Sequence, residues 1–227
     1  MKLRGIEFGT IVETQKKIRK GKSIIKWGAG VVLREQEYPK LGFSDCCSGS
    51  DGKKRGLFLC LPFPENDDYT SFTHDIEKML SDLVVQDVPV IVQLSIFVPP
   101  KVACAIARNP RCDAIMVLDE IPWKDFPEEA RQVFFRTQKS PFAKSGGGYI
   151  SGKYLNSFTA EWIRQCRRDG LHKPIIAGGG VLRPRDVEAF SRVGASAIGI
   201  ESARRLRPWN VRRIIHRAQE LFKNTNQ

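Results

Sequence analysis

Pro174-Ile175-Ile176-Ala177-Gly178-Gly179-Gly180 is the stretch on which the fold reading turns. A short apolar run leads straight into three glycines, and Val181-Leu182-Arg183-Pro184-Arg185-Asp186 then opens a helix. Glycines at a strand exit let backbone N–H groups approach an anion closely, and a helix N-terminus behind them adds a favourable dipole. About fifteen residues on, Gly194-Ala195-Ser196-Ala197-Ile198-Gly199-Ile200-Glu201-Ser202-Ala203 repeats the design with a small-residue turn, a short strand and a polar exit. Two such units in succession form a phosphate grip when they follow the last two strands of a barrel. The competing reading is a pair of tight turns in any parallel α/β protein, and the order and spacing of the two units favour the phosphate grip.

Working outward from that stretch, strand and helix patterns alternate. Leu57-Phe58-Leu59-Cys60-Leu61, Pro89-Val90-Ile91-Val92-Gln93-Leu94 and Asp113-Ala114-Ile115-Met116-Val117-Leu118-Asp119 read as buried strands. Helical spacing predicts helices over 71–83, 102–108, 156–168 and 186–193, with a last one over the arginine-rich 204–217. In the third of these, Leu155, Phe158, Trp162, Ile163 and Cys166 fall on one face. Gly5-Ile6-Glu7-Phe8-Gly9-Thr10-Ile11-Val12 and Ala29-Gly30-Val31-Val32-Leu33 are further strand candidates, the second as a hairpin arm. The turn-rich segment around 39–56 reads as a long irregular loop, and 120–144 as a lysine-rich connection.

Strands alternating with helices require a parallel sheet, because parallel neighbours need crossover connections. A doubly wound nucleotide-binding sheet would carry its glycines early, after the first strand. Here they come late, so the expectation is an α/β fold of the (β/α)8 TIM-barrel type. It is expected as a single domain over 1–227, truncated or irregular in its N-terminal half. The 227 residues approach the roughly 250 typical of such barrels.

The net charge of +12 invites a nucleic-acid partner, but no zinc-finger spacing, helix-turn-helix signal or RNA-binding aromatic motif accompanies it. Nucleic acid is therefore not the expected partner; a small-molecule ligand is. No apolar run approaches the roughly 20 residues of a membrane span. Met1-Lys2-Leu3-Arg4 leads into no secretory apolar region, so a cytoplasmic protein without a membrane partner is expected. The six cysteines are scattered, with Cys46-Cys47 adjacent, and read as reduced core thiols. His74, His172 and His216 have no mutual spacing and read as surface residues, not as metal ligands. The four tryptophans read as packing residues, with Trp123 also placed to cap a ligand pocket.

In order and content these motifs resemble the dihydroorotate dehydrogenase family, barrels that bind flavin mononucleotide (FMN). Gly147-Gly148-Tyr149-Ile150-Ser151-Gly152 is similar to the family's glycine loop after strand six. The segments 174–180 and 194–203 are similar to its strand-seven and strand-eight phosphate elements, and 89–95 to its strand five. Phe8-Gly9-Thr10-Ile11-Val12 resembles its strand two, and Lys40-Leu41-Gly42-Phe43-Ser44 a loop that follows.

The resemblance implies FMN as cofactor, with Gly178, Gly179, Gly180, Glu201 and Ser202 at the phosphate and Gly147, Gly148 and Gly152 beside the ribityl chain. Gln93 stands where the family has a flavin-contacting lysine, and Asp119 where it has a substrate-binding asparagine. Pro62-Phe63-Pro64-Glu65 puts Phe63 at the position of the catalytic base and Glu65 at another asparagine. Phenylalanine cannot abstract a proton, glutamine carries no charge, and a carboxylate repels an anionic orotate-type substrate. Asp119 and Glu65 are the candidate acid–base pair. The resulting expectation is an FMN-dependent oxidoreductase of the CH–CH dehydrogenase type with an altered substrate. The alternative is a non-catalytic barrel that keeps a phosphate or flavin site as a binding, regulatory or partner subunit. A homo-oligomer that covers an exposed strand edge is also expected.

Overall fold

The computed structural model describes residues 24–27, 31–34, 42–48, 54–60, 68–83, 89–117, 120–140, 142–145 and 147–223. Its strands are β1 (Ile24–Trp27), β2 (Val31–Arg34), β3 (Gly42–Ser48), β4 (Lys54–Cys60), β5 (Val90–Leu94), β6 (Ala114–Val117), β7 (Glu120–Pro122), β8 (Tyr149–Gly152), β9 (Ile175–Ala177) and β10 (Ala197–Ile198). Its helices are α1 (Tyr69–Ser81), α2 (Pro100–Arg108), α3 (Glu128–Phe135), α4 (Leu155–Arg168), α5 (Pro184–Arg192), α6 (Glu201–Leu206) and α7 (Val211–Lys223).

Six strands form one sheet in the order β10-β9-β6-β5-β4-β3. The first five run parallel, and β3 closes the edge antiparallel to β4. Because the parallel strands follow one another in chain order, the sheet has no switch point of the kind that defines a doubly wound fold. The helices pack successively, α1 on α2, α2 on α4, α4 on α5 and α5 on α7, so they cover one face. Sequential parallel strands with helices outside are the arc of a (β/α)8 barrel. Among the described residues the arc does not close.

Strand alternation sorts side chains between the two faces of this arc. Leu59, Val92, Ile115 and Ile175 are in register across four strands and belong to the core beneath the helices. The next register row, Gln93, Met116, Ile176 and Ala197, faces the inside of the arc. Helix positions follow from burial as well. Leu155, Trp162, Ile163 and Cys166 of α4 are buried, and the Trp162 indole N–H donates to the Val98 carbonyl at 2.7 Å. Phe158, expected on that face, is 43% exposed, and Thr159 takes the inward position.

A second sheet, antiparallel throughout, has the order β1-β2-β8-β7. The hairpin arm expected at 29–33 is present as β2 paired with β1. Other expectations change. The segment around 39–56 is not a loop, because it contains β3 and the start of β4. The connection over 120–144 contains β7 and α3, and builds a small core of its own. Trp123 belongs to that core, with its ring 4.9 Å from Phe135 and its N–H donating to the Gln138 carbonyl, so it packs and does not cap a pocket. The single last helix is two, α6 and α7, separated at Pro208, whose ring cannot continue a helix. The strand expected at 5–12 lies outside the described residues.

Cys104, Cys112 and Cys166 are free, buried thiols, as the sequence reading expected. Burial pushes the Cys112 thiol up to about 12 and the Cys166 thiol up as well. In the unfolded chain both ionise near 9. Above that pH the unfolded state loses protons that the fold retains, so stability falls as pH rises toward the folded value. Urea midpoints should therefore decline between pH 8.5 and 10.5 by more in the parent than in a Cys112→Ala/Cys166→Ala variant. Equal slopes would mean that these thiols are not protonated and buried as described.

Candidate functional site

The exits of β8, β9 and β10 converge. After β9 the chain turns through Gly178, Gly179 and Gly180, all buried, with Gly179 and Gly180 at φ 102° and 74°. These left-handed values suit glycine, since a Cβ there is strained. A Cβ built on Gly180 would lie 2.1 Å from the Gly152 carbonyl oxygen, so the two backbones are in direct contact. Gly152, at the end of β8, also has positive φ, 117°. On the other side, a Cβ on Gly199 would lie 3.8 Å from the Gly178 Cα and 3.2 Å from the Met116 Cε.

One residue that sequence reasoning missed holds this junction. Asn156, in the first turn of α4, turns its amide nitrogen to the carbonyls of Gly179 and of Gly180, the latter at 3.1 Å. Nothing in a lone asparagine near a helix start reveals partners more than twenty residues away. Ser202, at the start of α6, is 4% exposed, and among the described residues its hydroxyl has no hydrogen-bond partner. A hydroxyl buried in that way is destabilised by about 1–3 kcal/mol until an acceptor reaches it.

Gln93 lies in the inward-facing row, 2% exposed, and its amide nitrogen donates to the Met116 sulfur at 3.3 Å. Through Met116 it is connected to Gly199 at the exit of β10. Gly147 and Gly148 do not join the cluster. The segment expected as a glycine loop is strand β8 from Tyr149 onward, so Gly148 stands about 13 Å along the strand from Gly152. Its carbonyl accepts from the Trp123 N–H, while the Gly147 carbonyl accepts from the Ser140 hydroxyl.

The helix that follows the three glycines differs from expectation too. The Asp186 carboxylate accepts from the backbone N–H of Leu182 at 2.8 Å and of Arg183 at 2.9 Å. The N-terminus of α5 therefore already holds an anion and has little left to offer a second. Asp119 and Glu65 lie outside the described residues, as does the side chain of Glu201.

The contact at Gly180 is testable against Gly170, which has a similar φ of +88° but nothing within 4 Å of its would-be Cβ. Gly170→Ala should cost about 1 kcal/mol from backbone strain alone. Gly180→Ala should cost about 3 kcal/mol or more, because strain and a backbone clash add. Equal losses in urea titrations would argue against the close approach.

No protein-family model matches the chain. Over 159 residues it is 28% identical to the catalytic subunit of dihydroorotate dehydrogenase B (NAD(+)) of Endomicrobium trichonymphae, covering 67% of this chain and 49% of the relative. The chain thus spans about half the length of that curated relative. Among solved structures it is similar to a dihydroorotate dehydrogenase of Eimeria tenella in complex with ferulenol, with 17% identity and a TM-score of 0.46, over 70% of this chain and 46% of that one. It is also similar to the BexX/CysO complex of Amycolatopsis orientalis, with 13% identity and a TM-score of 0.41, over 70% and 52% of the two chains. No helix among the described residues is long and apolar enough to cross a membrane. The sequence likeness is thus to a dihydroorotate dehydrogenase over about two thirds of this chain, and the parallel arc is of the barrel type.

Proposed function

We propose that the chain binds FMN on the loops after β9 and β10 and works as a flavin-dependent oxidoreductase on a substrate other than dihydroorotate. The observation that carries this reading is the buried Ser202 hydroxyl, which has no hydrogen-bond partner among the described residues and follows by three positions Gly199, itself packed near Gly178; Gly179 and Gly180 beyond are held at positive φ. A phosphate oxygen would accept from Ser202 and from the N–H groups of Gly179 and Gly180, while Gly178 keeps the wall thin. The short helix α6, beginning at Glu201, adds backbone donors of the kind found at phosphate sites after the last barrel strands. Gly152 and Gly148, spread along β8, suit an extended ribityl chain better than a compact anion.

Bound FMN supplies the hydride acceptor or donor; the chain's task is to hold it and to place the substrate. Gln93 orients by hydrogen bonding and brings no positive charge to the ring. Asp119 lies two residues after β6 in sequence, and with Glu65 it is the candidate for moving protons. A carboxylate at Asp119 selects against anionic, orotate-type substrates and in favour of neutral or cationic ones.

Titration with FMN and with riboflavin separates phosphate recognition from ring recognition. FMN should bind at least about tenfold more tightly, and Ser202→Ala should remove roughly fivefold or more of that preference, leaving riboflavin unchanged. Equal affinity for the two flavins, or a Ser202→Ala variant with the parent's preference, would overturn the assignment.

A further inference from the structure

The outer face of α7 forms an open groove of about 400 Å³ lined by Pro184, Arg212, Arg213, His216, Arg217 and Glu220. Its carboxylates are already spent. Arg217 reaches Glu188 and Glu220, each at 2.9 Å, and His216 Nδ1 lies 3.2 Å from the Glu220 carboxylate. Arg212 and Arg213 are exposed, and among the described residues neither has a hydrogen-bond or ion-pair partner. One turn earlier, in the 3-10 turn Pro208–Asn210 that leads into α7, Trp209 is 71% exposed. The Asn210 amide donates to the Leu182 carbonyl at 2.9 Å and anchors this turn to the loop ahead of α5.

Burial of Ile214, Ala218 and Phe222 explains why α7 docks, but not two exposed guanidiniums that have no partner among the described residues and follow an exposed indole by three and four positions in the chain. Guanidinium groups pair bidentately with phosphates, and an exposed indole offers a face on which an unstacked base can stack. The chain's net charge of +12 would steer a polyanion toward such a surface. We propose that the α7 groove is a docking surface for single-stranded nucleic acid, with Arg212 and Arg213 taking backbone phosphates and Trp209 stacking on a base. This surface does not depend on the flavin reading, because none of its residues touches the glycine junction.

Fluorescence anisotropy with a labelled single-stranded 20-mer tests it, with Arg212→Gln/Arg213→Gln compared with Lys101→Gln/Arg168→Gln, which removes the same charge from α2 and α4. Circular dichroism confirms that each variant is folded. The groove variant should bind more weakly and flatten the plot of log affinity against log salt by about 1.4, at about 0.7 per lost phosphate contact. The control should track the parent, and Trp209→Ala should weaken binding roughly tenfold. Equal losses in both double variants would reduce the effect to general basicity and overturn the site. So would displacement of the 20-mer by millimolar inorganic phosphate, or tighter binding of a duplex of equal length.

Discussion

The backbone contact between Gly152 and Gly180 is the constraint on which the site depends. It joins the exit of β8, in the antiparallel sheet, to the exit of β9, in the parallel one, at a distance no side chain survives. Asn156 locks the same junction from α4 by engaging the carbonyls of Gly179 and Gly180. With the carbonyls tied back, the loop presents a wall of bare backbone that packs near Gly199, three residues before the buried Ser202 hydroxyl. Such a wall is set before a ligand arrives, so binding incurs little ordering cost.

The elements that would grip a phosphate are present in order and brought together. The position that would bring a positive charge to a flavin holds the neutral Gln93, whose amide is engaged with Met116 in the interior row. The N–H donors at the start of α5 are taken by the Asp186 carboxylate and do not face an incoming anion. In the proposed reading, anion recognition at the site therefore rests on backbone and hydroxyl donors, not on side-chain charge.

The parallel arc was legible in the sequence because its strands are buried on both faces. Ala114–Val117 reads as an unbroken apolar run and Val90–Leu94 as one interrupted only by Gln93, and the helices nearby carry clear 3.6-residue periodicity. The antiparallel parts were not. β3 is Gly-Phe-Ser-Asp-Cys-Cys-Ser, a composition that reads as turns and becomes a strand only by pairing with β4. Tyr149–Gly152 looks like a loop for the same reason and is ordered between β2 and β7. At the site, the glycines announced themselves through local sequence. Asn156 and Asp186 did not, because their roles depend on which backbone atoms the fold brings to them.

The visible absorption spectrum of the protein purified without added cofactor tests the central claim most directly. A retained phosphate grip predicts a yellow protein whose released chromophore has the mass of FMN, in a ratio near one per chain. A colourless protein that also takes up no added FMN would contradict the account and leave the glycine junction with a purely structural role.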